Sequence, residues 1–321
     1  MPASDLLGKL SLLKPARPIY VIGAAIVDHI VGVPSLPSSG DDVDASQDAV
    51  RVGGCALNVA ICLRRLGIGS NNAFLIGEGN GSAPINRYLN DLGIQSCLPS
   101  VPGDNGWCLA LVEPDGERTF ISIKGVENDW SPAILQNVQV LPEGLIYLSG
   151  YQLISSSGET IVSWLETLDV NCDLFIDFGP RIKDIAPEVM LRLLAMRPTI
   201  SVNRSEAEFM GVGGDIVAAM NRWTHSNMCS LIVRLDSSGA YYKQENEELV
   251  CVAPFSASVV DSIGAGDSHG GGVLGGLAAG WGLGDAVSLG NAVASYVVSH
   301  RGGDCAPDID SLRSYLLRYD D

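Results

Sequence analysis

Short apolar runs alternate with amphipathic segments along most of the chain. The apolar runs have the length and composition of buried strands and lie at residues 18–25, 72–76, 145–148, 174–178, 199–202 and 230–235. Segments with helical spacing of apolar residues separate several of them, at residues 83–92, 159–168 and 187–196. Strands that are joined through helices run parallel and are covered on both faces. The pattern therefore predicts an α/β fold with three layers, in which helices flank a doubly wound, mostly parallel sheet.

A second pattern interrupts this alternation. Between residues 106 and 123 the apolar residues recur with a period of two, and the two halves flank the turn sequence Glu-Pro-Asp-Gly-Glu. The pattern predicts a β-hairpin with Trp107, Leu109 and Leu111 on one face. An antiparallel sheet that exposes such a face needs a partner or a ligand, which favours a homodimer through this hairpin. For Trp107, packing in the core and contact with a substrate remain equal alternatives.

Composition narrows the class of function. The chain has 321 residues, of which 46% are apolar, and we predict a single domain over residues 1–321. Lysine and arginine number 20 against 37 acidic residues, and the net charge of −17 disfavours nucleic acid or an anionic membrane surface as a partner. A small molecule is therefore the expected ligand.

The cysteines and the first residues indicate the compartment. The eight cysteines are scattered without a Cys-x-x-Cys pair, so we predict reduced, mostly buried thiols. The first fifteen residues include Asp5 and Lys9 and lack the continuous apolar core of a secretory signal. The protein is therefore expected in the cytoplasm.

Residues 261–267, with the sequence Asp-Ser-Ile-Gly-Ala-Gly-Asp, contain the most informative chemistry. They join a predicted strand at 249–255 to a helix that starts at Ala265. The first N–H groups of a helix have no acceptor within it, and glycines let an anion approach them closely. Asp267 in the first turn would accept a proton from a hydroxyl that attacks a bound phosphoryl group. The alternative is a glycine turn followed by a helix-favouring carboxylate.

The predicted helix is rich in glycine, at positions 270, 271, 272, 275, 276 and 280. A glycine in a helix interior costs up to about 1 kcal/mol relative to alanine. We therefore expect a compensating gain from the close approach of another helix or of a flat ligand. A membrane span is excluded by Asp267, His269 and the shortness of the apolar run.

Two further stretches are candidates for ligand binding. Asp28 follows the first predicted strand, where ligand groups gather at the edge of an α/β sheet, and it would accept hydrogen bonds from two hydroxyls. His29 beside it is interpreted as a loop residue. Gly53 and Gly54 let the backbone approach a ligand, and Asn58 one turn later offers a donor and an acceptor. A solvated loop aspartate and a buried asparagine after a glycine turn are the alternatives.

Segment 261–267 and its glycine-rich helix closely resemble the C-terminal signature of the ribokinase-like, or PfkB, family of carbohydrate and nucleoside kinases. The Gly-Gly pair with Asn58 and the pair Asn203 and Glu206 match further features of that family, in the same order along nearly the whole chain. The resemblance implies the ribokinase-like fold. It also implies a small β-sheet lid over the sugar, formed by about 29–51 and 105–125.

The resemblance assigns roles to the matching residues. The base and the amides of the anion hole would be Asp267, Gly264, Ala265 and Gly266. The residues that bind the acceptor would be Asp28, Gly54 and Asn58. The residues near the nucleotide would be Asn203, Asp236, Gly239 and Asn291. Glu206 would act through water on Mg²⁺, which keeps several waters and needs few protein carboxylates.

Three points qualify this correspondence. Asn203 and Glu206 also have the spacing of a helix-capping box, and both roles are compatible. Asp236 stands where the family commonly has glycine, and its carboxylate would repel phosphate unless it points to solvent. His269 stands where phenylalanine is usual, and we interpret it as packing near the site rather than as a base.

The sequence therefore predicts an enzyme that uses ATP and Mg²⁺, with a monovalent cation allowed, to phosphorylate a hydroxymethyl group of a sugar. A nucleoside kinase of the same family and a non-catalytic protein that senses a sugar or nucleotide are the alternatives. A dinucleotide oxidoreductase lacks support, because Gly-Ala-Ala-Ile-Val at 23–27 replaces the Gly-x-Gly-x-x-Gly that would follow the first strand.

Overall fold

The computed structural model describes residues 1–154, 156–168 and 171–319. Its strands, numbered along the chain, are β1 (Ile19–Gly23), β2 (Ile26–Gly32), β3 (Ser46–Gly53), β4 (Asn71–Phe74), β5 (Trp107–Val112), β6 (Arg118–Ile123), β7 (Leu145–Ser149), β8 (Asp173–Asp177), β9 (Thr199–Asn203), β10 (Ser230–Arg234), β11 (Ala240–Lys243) and β12 (Val250–Val252). Its α-helices are α1 (Ala3–Leu10), α2 (Cys55–Arg65), α3 (Ala83–Leu92), α4 (Pro132–Leu135), α5 (Ser156–Glu166), α6 (Pro187–Ala195), α7 (Arg204–Phe209), α8 (Ile216–Asn227), α9 (Ala265–Ala278), α10 (Leu283–Val298) and α11 (Ile309–Leu316).

An eight-stranded sheet forms the middle layer, with the order β12-β11-β10-β9-β8-β7-β1-β4. The strands from β10 to β4 run parallel, and β11 and β12 add an antiparallel edge. Successive side chains of a strand point to opposite faces, so Ile19 and Val21 join one buried cluster while Tyr20 and Ile22 join another. Apolar residues of α2, α9 and α10 lie in the first cluster, and those of α5 and α6 lie in the second. The predicted three-layer, mostly parallel α/β fold is confirmed.

A second sheet has four strands in the order β3-β2-β5-β6. It contains the predicted hairpin, because β5 and β6 pair antiparallel. Asp28 was predicted just beyond the first strand, but it lies inside β2 and pairs with Arg51 and Cys108. The chain continues in extended form after a break of two residues, so His29 is a strand residue rather than a loop residue. Its ring contacts Trp107 edge-on, with the ring centroids 5.3 Å apart.

Several elements were absent from the sequence interpretation. Helices α1 and α11 were not predicted, and both bury leucines in the first cluster. Helix α8 was not predicted either, whereas the start of α7 agrees with the capping box predicted at Asn203 and Glu206. The predicted strand at 249–255 is reduced to β12, which ends before Pro254, a residue without the N–H that a strand ladder needs.

The cysteines agree only in part with the prediction of reduced, mostly buried thiols. All eight cysteines are free thiols, but Cys97 and Cys251 are exposed and only Cys62, Cys108 and Cys229 are fully buried. Burial of the cysteine thiols is therefore less general than predicted.

Within residues 1–154, 156–168 and 171–319, every helix falls short of the length and apolar character that crossing a membrane requires.

The glycines of α9 allow α10 to approach closely. A Cβ atom on Gly272 would lie 2.9 Å from the Cα of Gly290, and one on Gly276 would lie 2.9 Å from the Cα of Ala286. Real Cβ atoms do not come this close to backbone atoms, so a side chain at either position would force the helices apart. A neighbouring helix therefore accounts for the cost of these two glycines.

We expect Gly272→Ala to destabilise the fold, although alanine is the better helix former. The inserted methyl group overpacks the α9–α10 contact, which typically costs about 1–3 kcal/mol. Gly8→Ala in α1 is the matched control, because a Cβ there meets nothing within 4 Å. The control should gain roughly 0.5–1 kcal/mol from helix propensity. Urea unfolding of both variants measures the difference, and equal stability of the two would contradict this packing.

Candidate active site

The site lies where the first turns of α2 and α9 meet. The residue before α9, Gly264, has a left-handed backbone with φ 72°, and a Cβ on it would lie 2.6 Å from the Cα of Gly303. The residue before α2, Gly54, has φ 116°, and a Cβ on it would lie 2.5 Å from the carbonyl oxygen of Ala24. Only glycine fits at these two positions. Both helices can therefore begin directly against neighbouring backbone.

The first turn of α9 presents free N–H groups. The N–H of Ala265 donates to the carbonyl of Ser262 at 3.3 Å. The N–H groups of Gly264, Gly266 and Asp267 have no acceptor among the described residues. The predicted set of amides is therefore altered, because Ala265 is engaged and Asp267 adds its own N–H. The helix dipole adds partial positive charge here, so these groups fit an anion such as phosphate.

Asp267 is held by a side chain from a distant part of the sequence. The Asn58 amide donates from Nδ2 to Oδ2 of Asp267 at 2.8 Å. Burial and the nearby Asp177 carboxylate raise the pKa of Asp267 above its usual value, and Asn58 and Arg234 oppose this shift. A carboxylate with a raised pKa is a stronger base, and its position beside free amides suits proton transfer from a hydroxyl. Asn58, predicted to bind the acceptor, also positions this carboxylate.

Asp28 faces the same region from β2. A Cβ on Gly53 would lie 2.7 Å from Oδ2 of Asp28, so glycine at position 53 leaves room for this carboxylate. Burial raises the pKa of Asp28 to about 6. Burial, and then the charges of Asp267, Asp177 and Asp28, also raise the pKa of the Cys55 thiol. Asp28 and Asp267 therefore both lie near Cys55, at the start of α2.

Asn203 and Glu206 form the capping box at the start of α7. The Glu206 N–H donates to Oδ1 of Asn203 at 2.9 Å, and the Asn203 N–H donates to Oε2 of Glu206 at 2.8 Å. Nδ2 of Asn203 donates to Oε1 of Glu206 at 2.8 Å. Burial and then Asp177 raise the pKa of the buried Glu206, and Arg234 opposes the shift. Each carboxylate oxygen keeps a lone pair for water, so the pair fits the predicted indirect contact with Mg²⁺.

Two charged residues at the carboxyl ends of strands in the large sheet were not predicted from the sequence. Arg234 ends β10 and donates from Nη1 to Oδ2 of Asp177, at the end of β8, at 2.7 Å. The same nitrogen donates to the hydroxyl of Ser201 in β9. Nη2 of Arg234 lies 3.7 Å from Oε2 of Glu206. The available signal was a charged residue directly after three apolar residues at the end of a strand, as both Asp177 and Arg234 are.

Asp236 and Gly239, two of the residues predicted to lie near the nucleotide, follow Arg234 in the sequence. Both mainly determine the conformation of the backbone. Asp236 is exposed and has φ 52°, a left-handed conformation that Asp adopts more readily than most residues, which explains why it can stand in place of glycine. Gly239 packs against β12, since a Cβ there would lie 2.3 Å from the carbonyl oxygen of Val252.

Asn291 is fully engaged by protein groups. It donates to the carbonyls of Val252 at 3.2 Å and Ala253 at 3.0 Å, and its Oδ1 lies 3.1 Å from Nε2 of His269. Burial and then Arg234 lower the pKa of His269 to about 3, so this histidine is neutral and packs beside the site. Contact between Asn291 and adenine stays a prediction.

Comparison with known proteins gives a match over most of the chain. The family described as pfkB family carbohydrate kinase matches residues 16–309. The Escherichia coli K12 protein described as uncharacterized sugar kinase YegV is 49% identical over 304 residues, which cover 94% of each chain. The 1-phosphofructokinase of the same organism is 26% identical over 256 residues, covering 77% of this chain and 80% of the relative.

Solved structures show the same fold. The ribokinase of Giardia lamblia superposes with a TM-score of 0.82 at 19% identity and covers 94% of this chain and 99% of its own. The ribokinase of Thermotoga maritima superposes with a TM-score of 0.79 at 20% identity, with coverage of 94% and 99%. The ribokinase-like fold predicted from the sequence is confirmed.

We expect Asp28→Asn to stabilise the protein at pH 8. The pKa of Asp28 in the folded state, about 6, is above the usual 3.8, so the ionised form is disfavoured by folding. The cost is full above pH 6 and disappears as the pH falls below about 4. The variant should therefore gain roughly 2–3 kcal/mol in free energy of unfolding at pH 8 and nothing at pH 4. Denaturant unfolding at both pH values measures this gain. Asp173→Asn, at an exposed carboxylate, is the control, and an equal gain there would contradict the assignment.

Proposed function

The chain belongs to the pfkB family of carbohydrate kinases, and on this basis we propose that it transfers the γ-phosphoryl group of ATP to a hydroxymethyl group of a sugar. The observation that carries the proposal is the juxtaposition of Asp267 with the free N–H groups of Gly264 and Gly266. Asn58 fixes this carboxylate at 2.8 Å. A base and an anion hole therefore lie side by side, as transfer of a phosphoryl group to a hydroxyl requires.

In the proposed reaction, Asp267 and the free N–H groups at the start of α9 act on the hydroxyl and on the phosphoryl group, respectively. The acceptor oxygen forms a bond to the γ-phosphorus while the bond from that phosphorus to the β,γ-bridging oxygen breaks. The hydroxyl proton passes to the carboxylate of Asp267, and ADP leaves. The N–H groups of Gly264, Gly266 and Asp267 bind oxygens of the transferred group, where negative charge concentrates in the transition state.

The residues that would handle the nucleotide and its metal lie at the ends of β9 and β10. Asn203 would stand beside the phosphates, and Glu206 would hold waters of Mg²⁺ without replacing them. The bound Mg²⁺ would neutralise charge on the phosphate oxygens. Asp236 is exposed, so solvent would screen repulsion between its carboxylate and the phosphates.

The acceptor would bind between β2 and α2. Asp28 accepts hydrogen bonds from hydroxyls, Gly54 lets the backbone approach, and Asn58 retains one amide hydrogen and its Oδ1 for the ligand. A sugar is favoured because the relative that is 49% identical is described as a sugar kinase. The free cysteines fit a reducing compartment such as the cytoplasm.

The small sheet would serve as the lid over this acceptor and as the surface of a homodimer. Asp28 and Cys108 share the face that is turned towards the site, while Trp107, Ile121 and Ile123 share the opposite face. These three side chains are 40%, 49% and 45% exposed. A second copy of the chain would cover this apolar face.

We expect Ile121→Lys to dissociate the homodimer, because a charge in the covered face cannot be buried without a partner. Sedimentation velocity at micromolar concentration measures the change from dimer to monomer. Leu191→Lys in α6 is the matched control, since Leu191 is 69% exposed and lies far from the small sheet in the fold. A monomeric parent protein would contradict the dimer.

We expect Asp267→Asn to lower kcat by about 10² to 10⁴, the range that general-base catalysis supplies. The variant keeps the shape of the side chain and removes the base, so binding of ATP and of the acceptor should persist. Ionised Asp267 is disfavoured by burial, so the melting temperature should not fall. ADP release with a panel of sugars, sugar phosphates and nucleosides first identifies an acceptor for the parent protein.

The control is Asp173→Asn, which should leave kcat unchanged. Near-normal turnover by Asp267→Asn would show that Asp267 is not the base. An inactive parent protein that still binds sugars or ATP would favour the sensing protein instead.

A further inference from the structure

Arg234 has one anchored side and one free side. Its Nη1 donates to Asp177 at 2.7 Å and to the hydroxyl of Ser201. Two partners on neighbouring strands therefore fix the plane of the guanidinium. A planar group that is held in this way keeps its remaining donors in a defined direction.

The free side of Arg234 faces the first turn of α9. A Cβ on Gly266 would lie 3.4 Å from Nη2 and 3.8 Å from Nε. Neither nitrogen donates a hydrogen bond to any residue in the described ranges, and Oε2 of Glu206 is 3.7 Å from Nη2. The side chain keeps 15% of its surface exposed, so it is not sealed inside the core.

The carboxylates around Arg234 would repel a phosphate, so binding one here requires a positive charge. Asp177, Glu206 and Asp267 all act electrostatically on the guanidinium, and three carboxylates would repel an incoming polyanion. The free N–H groups of α9 supply only partial charges. A full positive charge beside them offsets this repulsion at the point where the phosphoryl group would sit.

We propose that the Nε–Nη2 edge of Arg234 binds two oxygens of the phosphoryl group that is transferred, opposite the N–H groups of Gly264 and Gly266. The inference rests on the proposed kinase function and adds a catalytic residue to it. Two parallel N–H donors match the spacing of two phosphate oxygens, and a charge-assisted bond of this kind strengthens as charge develops on them. Bond making and breaking are unchanged, and Asp267 remains the proton acceptor.

The test uses Arg234→Lys, which keeps the charge and the ion pair with Asp177 but removes the fork. We expect kcat to fall by at least about 10², while the KM for the acceptor changes less than about threefold. Arg192→Lys is the matched control, because Arg192 forks onto Glu166 on the surface, and its kcat should stay unchanged.

A second comparison separates the loss of the phosphate contact from any destabilisation of the fold. Arg234→Gln leaves Asp177 without its partner, so we compare the double variant Arg234→Gln with Asp177→Asn against Asp177→Asn alone. Calorimetry with Mg²⁺ and the imido analogue of ATP should show affinity lower by at least about tenfold in the double variant. Adenosine, which has no phosphates, should bind both equally.

The outcomes separate the two proposals. A parent protein that is inactive with every acceptor contradicts the kinase function, while the calorimetric comparison still decides the contact with Arg234. Equal affinity of both variants for the imido analogue, normal kcat in Arg234→Lys, or a parent that does not bind the analogue would overturn the role of Arg234.

Discussion

The close approach of α2 and α9 is the constraint on which the site depends. A Cβ on Gly271 would lie 2.8 Å from the sulfur of Cys62 in α2, and one on Gly275 would lie 2.8 Å from a methyl group of Ile68, just after α2. Without side chains at these two positions, the helices pack with their first turns side by side. Asn58 thereby reaches Asp267 across 209 residues of sequence. The contact between Asn58 and Asp267 is therefore a result of core packing, since a wider helix contact would separate the two side chains.

Electrostatics at the edge of the large sheet impose a second constraint. The carboxylates of Asp177 at the end of β8, Glu206 in α7 and Asp267 in the first turn of α9 are brought together in a chain whose net charge is already −17. Burial raises the pKa of Asp267 and Glu206, which shows that the fold disfavours their charges. Arg234 offsets part of this cost and leaves a net negative site. Such a site favours ligands that bring their own cations, as a nucleotide with Mg²⁺ does.

The small sheet is joined to the same region by charge. Arg118 of β6 donates to Asp261 at 3.0 Å, and Asp261 also accepts from the N–H groups of Ile263 and Gly302. Although burial opposes it, these hydrogen bonds lower the pKa of Asp261, so it stays ionised at neutral pH. The motif that opens with Asp261 therefore links the small sheet to the start of α9, which carries Asp267.

The sequence by itself determined the large sheet and the residues most suited to chemistry. Strands covered on both faces must be apolar throughout, which makes them recognisable in the sequence. Glycines before a carboxylate at a helix start predict an anion site. Helices α1 and α11 were not predicted, because both are short and each needs distant packing partners to bury its leucines. Only the tertiary structure decided that Asp28 lies in a strand, that Asn58 donates to Asp267, and that Arg234 pairs with Asp177 across 57 residues. The reason is physical, because hydrogen bonds and ion pairs depend on which strand ends become neighbours, and strand order is set by the packing of the whole chain.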